Sequence, residues 1–228
     1  MKIKDFKKNI ATKLRKKGFR AYLKETLYYL VSWIFSYRRY FLLSWSNSKP
    51  IFETEIKTDI KIKKADRDDI YDLKEIVGVK RLKYFLRLFE EGKNCFIALD
   101  NDKIVYYSWI SFEQKNFVRM QDKEAYMFSA FTLSEYRGRG IATRMIAERL
   151  KLIKQKGYEK ALAFASPQNF AAVKALKNNG FEEAGEAFEI LVPLLRLHYT
   201  RVIRREGGRI IECYKKCGCD REKINLFF

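Results

Sequence analysis

The pattern of apolar and polar positions over the middle of the chain predicts alternating strands and helices. Residues 56–63 alternate apolar and polar side chains, which is typical of a strand with one buried face. Helices are predicted over residues 66–77, behind the capping carboxylate of Asp66, and over 79–91, 141–156 and 169–178, the last three each followed by a glycine. Further strands are predicted over residues 95–99, 104–112, 125–133, 160–165, 183–189 and 194–204.

The order of these elements predicts the fold class. Strands interleaved with helices form a mixed sheet with helices on its faces, so we expect an α/β (α+β) domain over residues 51–205. The 228 residues are 47% hydrophobic and include only 11 Gly and 3 Pro, which excludes a disordered or collagen-like chain. Residues 206–228 show no periodicity and are interpreted as a C-terminal tail.

The first 50 residues differ from the rest in charge and are interpreted as an extension. They hold 13 Lys and Arg but only two acidic residues, and so carry +11 of the chain's net charge of +19. Apolar and aromatic residues at helical spacing over residues 27–45 predict a basic amphipathic N-terminal helix. Its longest uncharged run, residues 26–37, is 12 residues long, whereas a spanning helix needs about 20. We expect this helix either to lie on an anionic membrane surface through residues 1–48 or to pack on the main domain.

The same features bear on partners, compartment and metals. A nucleic-acid-binding arm would explain the positive charge but not the many aromatic side chains, so nucleic acid is not the expected partner. Residues 1–50 fit a secretory signal poorly, and we expect a cytoplasmic protein, with or without peripheral attachment to the inner face of the membrane.

The spacing of Cys213, Cys217 and Cys219 lacks the paired CxxC of a zinc site, and His198 is the only histidine. No metal site is therefore expected.

The most informative segment is a glycine-rich turn between a predicted strand and a predicted helix, residues 137–142. Glycines allow the backbone to approach a ligand closely, and the free N–H groups at a helix start favour anions, above all phosphate. The turn lacks the Lys-Ser/Thr ending of a P-loop and the third glycine of the dinucleotide fingerprint. By itself, such a turn is also compatible with a plain tight turn.

This turn resembles the signature of the GCN5-related N-acetyltransferase (GNAT) superfamily, Gln/Arg-x-x-Gly-x-Gly/Ala, which stands here as R137-G138-R139-G140-I141-A142. A second stretch, residues 169–181, is similar to the family's Asn-x-x-Ala…Gly-Phe stretch. The resemblance runs over most of residues 58–190. It implies a GNAT-like mixed central sheet that binds acetyl-CoA, or another acyl-CoA, in a V-shaped split between two strands, and transfer of the acyl group to an amine.

The resemblance also implies roles for individual residues. Backbone amides of the turn would hold the cofactor's diphosphate, and the end of the preceding strand would pair with its pantetheine. The cofactor-binding residues are then Ala130, Phe131, Thr132, Arg137, Gly138, Arg139, Gly140, Ile141, Ala142 and Asn169. Glu124 is the implied general base, and Tyr126, on the same strand face, is the second catalytic candidate. Leu176 stands where the family commonly has a tyrosine acid, so another tyrosine or water would protonate the thiolate, or no acid is needed.

The acceptor is indicated only by a weaker likeness. Residues 93–99 and 104–110 resemble a branch of these transferases met beside polysaccharide biosynthesis enzymes, with Tyr107 and Trp109 at the acceptor pocket. This implies an amine of a small-molecule, amino-sugar or lipid-linked acceptor. The alternatives are a protein N-acetyltransferase and a non-catalytic CoA-binding or membrane-docking module.

Overall fold

The computed structural model describes residues 36–52, 59–113, 120–192, 197–206 and 209–218. The helices of these ranges are α1 (Arg67–Asp72), α2 (Lys74–Glu90), α3 (Ile141–Gln155) and α4 (Phe170–Asn178). The strands are β1 (Ser36–Ser46), β2 (Lys61–Lys64), β3 (Asn94–Asp100), β4 (Lys103–Ser111), β5 (Glu124–Thr132), β6 (Lys160–Ala165), β7 (Glu182–Val192), β8 (Leu197–Glu206) and β9 (Arg209–Gly218).

These strands form one nine-stranded sheet in the order β2-β3-β4-β5-β6-β1-β7-β8-β9. Strands β5 and β6 run parallel, and the other neighbouring pairs are antiparallel. Because β5 and β6 are parallel, the helix that connects them, α3, must run antiparallel to both. A mixed sheet with helices packed on it confirms the predicted fold class.

The second half of the predicted N-terminal helix is instead a strand at the centre of the sheet. Strand β1 lies between β6 and β7, and Leu42, Leu43 and Trp45 are fully buried. The helix prediction is therefore wrong for residues 36–45. A strand covered on both faces has a nearly continuous apolar run, which periodicity alone cannot distinguish from a buried helix. The remainder of that prediction, residues 27–35, lies outside the described residues.

Three cations that the sequence assigned to the N-terminal extension bind carboxylates of β7. The pairs are Arg38 with Glu189, Arg39 with Glu186, and Lys49 with Glu182. These ion pairs attach β1 and the loop after it to β7. The three cations are therefore already paired with carboxylates of the protein itself. The predicted domain boundary at residue 50 thus separates β1 from the sheet in which it lies.

Helices cover both faces of the sheet, and each face has its own hydrophobic core. On one face, α1 and α2 pack on residues such as Trp109, whose ring centroid lies 5.2 Å from that of Phe85. On the other face, α3 and α4 pack through residues such as Met145 and Leu150, both fully buried. We call these the α2 face and the α3 face.

The C-terminal segment also differs from its prediction. Residues 209–218, expected to lie in a tail without periodic structure, form β9 and pair with β8. Cys219 and the residues after it lie outside the described ranges. In the part of the chain that is described, no helix is both long and apolar enough to span a membrane.

Candidate active site

Strands β5 and β6 pair over only part of their length. Their ladder begins with Glu124 opposite Lys160 and ends with Met127 opposite Ala163. Strand β5 then continues to Thr132 without pairing to β6, so the backbone of its last residues faces an opening. We call this opening the split. An unpaired strand edge is a template on which an extended ligand can form backbone hydrogen bonds, as the resemblance implies for pantetheine.

A cleft of about 360 Å³ fills the split and passes from one face of the sheet to the other. Its lining on the α2 face includes Tyr107, Tyr126 and Phe128, and its lining on the α3 face includes Tyr106, Ile146 and Leu176. Among its described lining residues are two arginines, Arg81 and Arg149, and no Asp, Glu or His. The cleft therefore favours a ligand with negative charge.

The glycine-rich turn leads from β5 into α3 beside this cleft. Gly138 and Gly140 have φ of 77° and 81°, in the left-handed region that disfavours other residues, and Gly140 is the N-cap of α3. The backbone N–H groups of residues 138–143 donate to no acceptor in the described part of the chain. A Cβ built on Gly138 would meet nothing within 4 Å, so the space over the turn is open. These features fit a bound diphosphate.

Side chains of the turn hold its backbone in place. The Tyr136 hydroxyl donates to Asp100 Oδ2 over 2.8 Å, and this bond raises the pKa of Tyr136. The two arginine side chains bond to nearby carbonyl oxygens: Arg137 Nε donates to Thr132 over 3.2 Å, and Arg139 Nη2 donates to Glu135 over 2.9 Å. The turn is thus fixed before a ligand binds, while its main-chain N–H groups remain available.

Four of the predicted cofactor residues line the cleft, namely Ala130, Phe131, Ala142 and Asn169. The remaining six, Thr132 and residues 137–141, border the cleft along the turn and are not part of its lining. Asn169 Oδ1 accepts from the backbone N–H of Ala172 over 3.2 Å and so fixes the start of α4 at the cleft wall. The cofactor assignments themselves stay predictions.

Tyr126, the second catalytic candidate, lines the cleft and is almost completely buried. Its ring stacks on Phe128 with centroids 5.4 Å apart. Burial raises the pKa of Tyr126, and burial also raises the pKa of Tyr40 and of Tyr84 to about 12 each. At neutral pH these phenols are hydrogen-bond donors, and a general base would have to be another group.

Glu124, the predicted base, lies at the closed end of the split and does not line the cleft. It is three residues before Met127, which corresponds to about 10 Å along a strand. Both carboxylate oxygens accept from the buried Arg204, at 2.6 Å and 2.9 Å, and Oε2 also accepts from the backbone N–H of Gln121. The structure therefore gives Glu124 a partner that sequence reasoning missed, and its role as a base stays a prediction.

The acceptor candidates Tyr107 and Trp109 lie in different surroundings. Tyr107 lines the cleft and stacks on Phe131 with ring centroids 5.7 Å apart. Trp109 is fully buried between Phe85 and Phe128 in the core of the α2 face and does not line the cleft. Of the two, only Tyr107 is available to a ligand. The backbone of His198 lies in β8.

Sequence reasoning also missed several cleft residues, which are Tyr40, Arg81, Tyr106 and Arg149. Tyr40 reaches the cleft from β1, just beyond the end of β6, and its hydroxyl donates to the buried Glu189 over 3.4 Å. No local pattern could have placed Tyr40 there, because β1 and β6 are more than 100 residues apart. Arg149 did leave a signal, since it interrupts the buried stripe of α3 between Ile146 and Leu150.

No metal-binding group emerges from the described residues: they contain no cluster of three or more His, Cys, Asp or Glu side chains with suitable geometry. Cys95 is buried in β3, and burial raises the pKa of its thiol.

The fold resembles those of solved structures at low sequence identity. A Drosophila protein matches with a TM-score of 0.54 and 16% identity, over 77% of this chain and 58% of its own. An acetyltransferase from Novosphingobium aromaticivorans, assigned to the GNAT family, matches with a TM-score of 0.50 and 15% identity, over 67% of this chain and 63% of its own. A glucosamine N-acetyltransferase region within a fungal multi-domain β-N-acetylglucosaminidase matches with a TM-score of 0.53 and 12% identity, over 73% of this chain and 22% of the larger one.

These likenesses show the fold, and the chain spans less than two thirds of each of those proteins. No curated protein matches the sequence. The profile of the Acetyltransferase (GNAT) family, however, matches residues 61–181, which is more than half of the chain and includes both the split and the glycine-rich turn. The chain therefore belongs to the acetyltransferase (GNAT) family.

Proposed function

We propose that this protein is an N-acetyltransferase that transfers the acetyl group of acetyl-CoA to the amine of a small-molecule acceptor, with an amino sugar or a lipid-linked amine as the favoured classes. The observation that carries the proposal is the cleft through the sheet, which has an anion-binding turn beside it and tyrosine side chains on the α2 face. Aromatic side chains suit the apolar faces of sugar rings, and their hydroxyls can bond to polar substituents.

On the α3 face, the chain's own contribution is to bind and orient the acetyl donor. The N–H groups of residues 138–143 and the start of α3 would hold the diphosphate, and the free edge of β5 would align the pantetheine. Acetyl-CoA supplies a thioester carbonyl that an amine can attack. The rate then comes mainly from holding the amine and the carbonyl carbon within about 3 to 3.5 Å of each other.

On the α2 face, neutral phenols would position the acceptor amine. Tyr126 can donate a hydrogen bond into the cleft, because burial raises the pKa of its phenol, whereas Tyr40 donates to Glu189 and presents its oxygen as an acceptor. The amine must lose a proton as it attacks, and no described carboxylate lines the cleft. We assign this proton to water in the cleft, with Glu189 behind Tyr40 as its final acceptor.

The test is acetyl transfer to a panel of amines that includes amino sugars, aminoglycosides, simple alkylamines, lipid-linked amines and lysine-containing peptides, read out by the mass of the product. Acetylated small amines would support the proposal, and acetylated peptides alone would favour a protein N-acetyltransferase. Binding of CoA without any product would favour the non-catalytic module.

Two glycines provide a matched pair of variants for the cofactor site. Gly138→Ala and Gly157→Ala both place a side chain at positive φ, 77° and 74°, in open space. Each should cost about 1 kcal/mol of stability. Only Gly138→Ala should weaken the binding of CoA, by about tenfold, because only this turn contacts the ligand. Equal CoA affinity in the two variants would contradict the cofactor assignment.

Peripheral membrane attachment through the basic N-terminal residues remains a separate proposal. Residues 1–35 hold 10 of the 13 cations counted above. Pelleting with anionic vesicles, compared between the wild type and a Lys13→Glu, Lys16→Glu, Lys17→Glu variant, tests it. Attachment predicts that the variant stays in the supernatant, and equal pelleting of both proteins would contradict it.

A further inference from the structure

Arg149 of α3 is a buried cation without a carboxylate partner in the described part of the chain. Its side chain is only 3% exposed. Its Nε donates to the backbone oxygen of Met145 over 3.2 Å, and its Nη2 lies 3.5 Å from the hydroxyl of Tyr106. Burial lowers the pKa of Arg149. Among the described residues, its hydrogen-bond partners are thus two neutral acceptors.

Such an arrangement is costly unless it serves a ligand. A buried charge is normally paired, because desolvation of an isolated ion outweighs what neutral hydrogen bonds return. The same protein provides the comparison, since the buried Arg204 forms two hydrogen bonds with Glu124. Arg149 lines the cleft and Arg204 does not. We therefore expect the anionic group that pairs with Arg149 to be part of the ligand that binds in the cleft.

The position of Arg149 along α3 indicates which part of the ligand it meets. It lies eight residues after Ile141, which is about 12 Å from the start of the helix. Because α3 runs antiparallel to β5, this distance leads from the turn back towards Met127, where the split begins. A donor whose diphosphate lies at the turn would therefore extend its pantetheine arm, and the sulfur at its end, towards Arg149.

We propose that Arg149 and Tyr106 together contact the sulfur of the acetyl donor and stabilise the CoA thiolate as it leaves. This rests on the proposed cofactor site. The amine nitrogen forms the new C–N bond to the acetyl carbon, the C–S bond breaks, and its electron pair leaves on sulfur. The amine proton passes to water, and the thiolate is either held by the guanidinium or protonated by Tyr106, which then recovers a proton from solvent.

Leu176, on the same face of the sheet, supports this assignment. It lines the cleft, is buried, and carries no group that can donate a proton. The other titratable or charged side chains at the cleft are the phenols Tyr40, Tyr107 and Tyr126 and the guanidinium of Arg81, and the buried thiol of Cys95 lies close enough to influence Arg149. Among the described residues of the α3 face, only Arg149 brings a positive charge into the cleft.

The experiment measures the thiol pKa of bound CoA from the ultraviolet absorbance of its thiolate, which needs no knowledge of the acceptor. We expect the CoA thiol bound to the wild type to ionise at least about one pH unit below the thiol of free CoA measured in the same buffer. Arg149→Met should return it to the free value, and Tyr106→Phe should give an intermediate value. The control is Lys151→Met on the same helix, which removes a cation that pairs with Glu148 and does not line the cleft.

A second measurement separates this role from a structural one. Arg149→Met should unfold at the same temperature as the wild type or higher without ligand, because it removes an unpaired buried charge. It should bind CoA about tenfold more weakly, yet bind desulfo-CoA, which lacks the sulfur, as well as the wild type does. Equal pKa values of the CoA thiol bound to the wild type and to Arg149→Met would overturn the role of Arg149 and leave the proposed function standing. Failure of the wild type to bind CoA would overturn the proposed function itself.

Discussion

The two faces of the sheet build their halves of the cleft in different ways. On the α3 face, the proposed anion site comes from one short segment, residues 137–143, and from main-chain N–H groups whose direction is set by the start of a helix. On the α2 face, the phenols come from distant parts of the chain, with Tyr40 on β1 and Tyr126 on β5. In the proposed function, binding of the cofactor therefore depends on local backbone geometry, and binding of the acceptor depends on how strands from distant parts of the chain are assembled.

The largest effect on stability is expected when the ion pair that joins two distant strands, Glu124 with Arg204, is broken. Arg204→Met would leave Glu124 buried without its cation and should destabilise the protein by about 3–5 kcal/mol. Replacing both residues, in Glu124→Leu/Arg204→Met, should recover most of this loss. Urea unfolding measures both effects, with Lys123→Met, which loses an exposed ion pair with Glu159, as the control.

The same double variant decides whether Glu124 is the base. We expect it to retain acetyl transfer, because neither carboxylate oxygen lines the cleft and both accept from Arg204. A folded double variant that has lost transfer would instead assign Glu124 the catalytic role that the resemblance implies.

A smaller effect is expected on catalysis, where a variant on the α2 face should change kcat/KM for the acceptor without changing the affinity for CoA. Tyr40→Phe removes a hydroxyl on the acceptor side and should lower kcat/KM for the acceptor by about tenfold, the usual consequence of losing one buried hydrogen bond. CoA affinity should not change, since the turn is untouched. Tyr37→Phe, on the exposed part of the same strand, is the control. A parallel loss of CoA affinity in Tyr40→Phe would show that the two halves of the cleft are not independent.

The smallest effect concerns alkaline stability. Burial raises the pKa of Tyr84 from 10.0 to about 12, so its contribution to stability is complete below pH 10 and is lost as the pH rises towards 12. Tyr84→Phe should therefore make the free energy of unfolding fall less steeply between these pH values. The exposed Tyr71 offers the control Tyr71→Phe, and an unchanged slope in Tyr84→Phe would contradict the effect of burial.

The difference between the two faces also explains what could be predicted from the sequence. The turn and the helices behind it were predictable because their signals, glycines at fixed offsets and a 3.6-residue period, lie within a few residues of each other. The place of β1 was not, because its partners in β6 and β7 are more than 100 residues away and its apolar run fits a buried helix equally well. For the same reason Tyr40 and the ion pair of Glu124 with Arg204 could not be foreseen, whereas Arg149 could have been noticed as a charge on the buried stripe of α3.

The central claim is that main-chain N–H groups of the turn bind the diphosphate of CoA. Amide hydrogen exchange, followed by NMR with and without CoA, tests it most directly. The account predicts rapid exchange at residues 138–143 in the free protein, because these amides lack acceptors among the described residues, and marked protection when CoA is bound. The amides of residues 148–153, already bonded within α3, are the internal reference. Unchanged exchange at residues 138–143 in the presence of saturating CoA would contradict the claim.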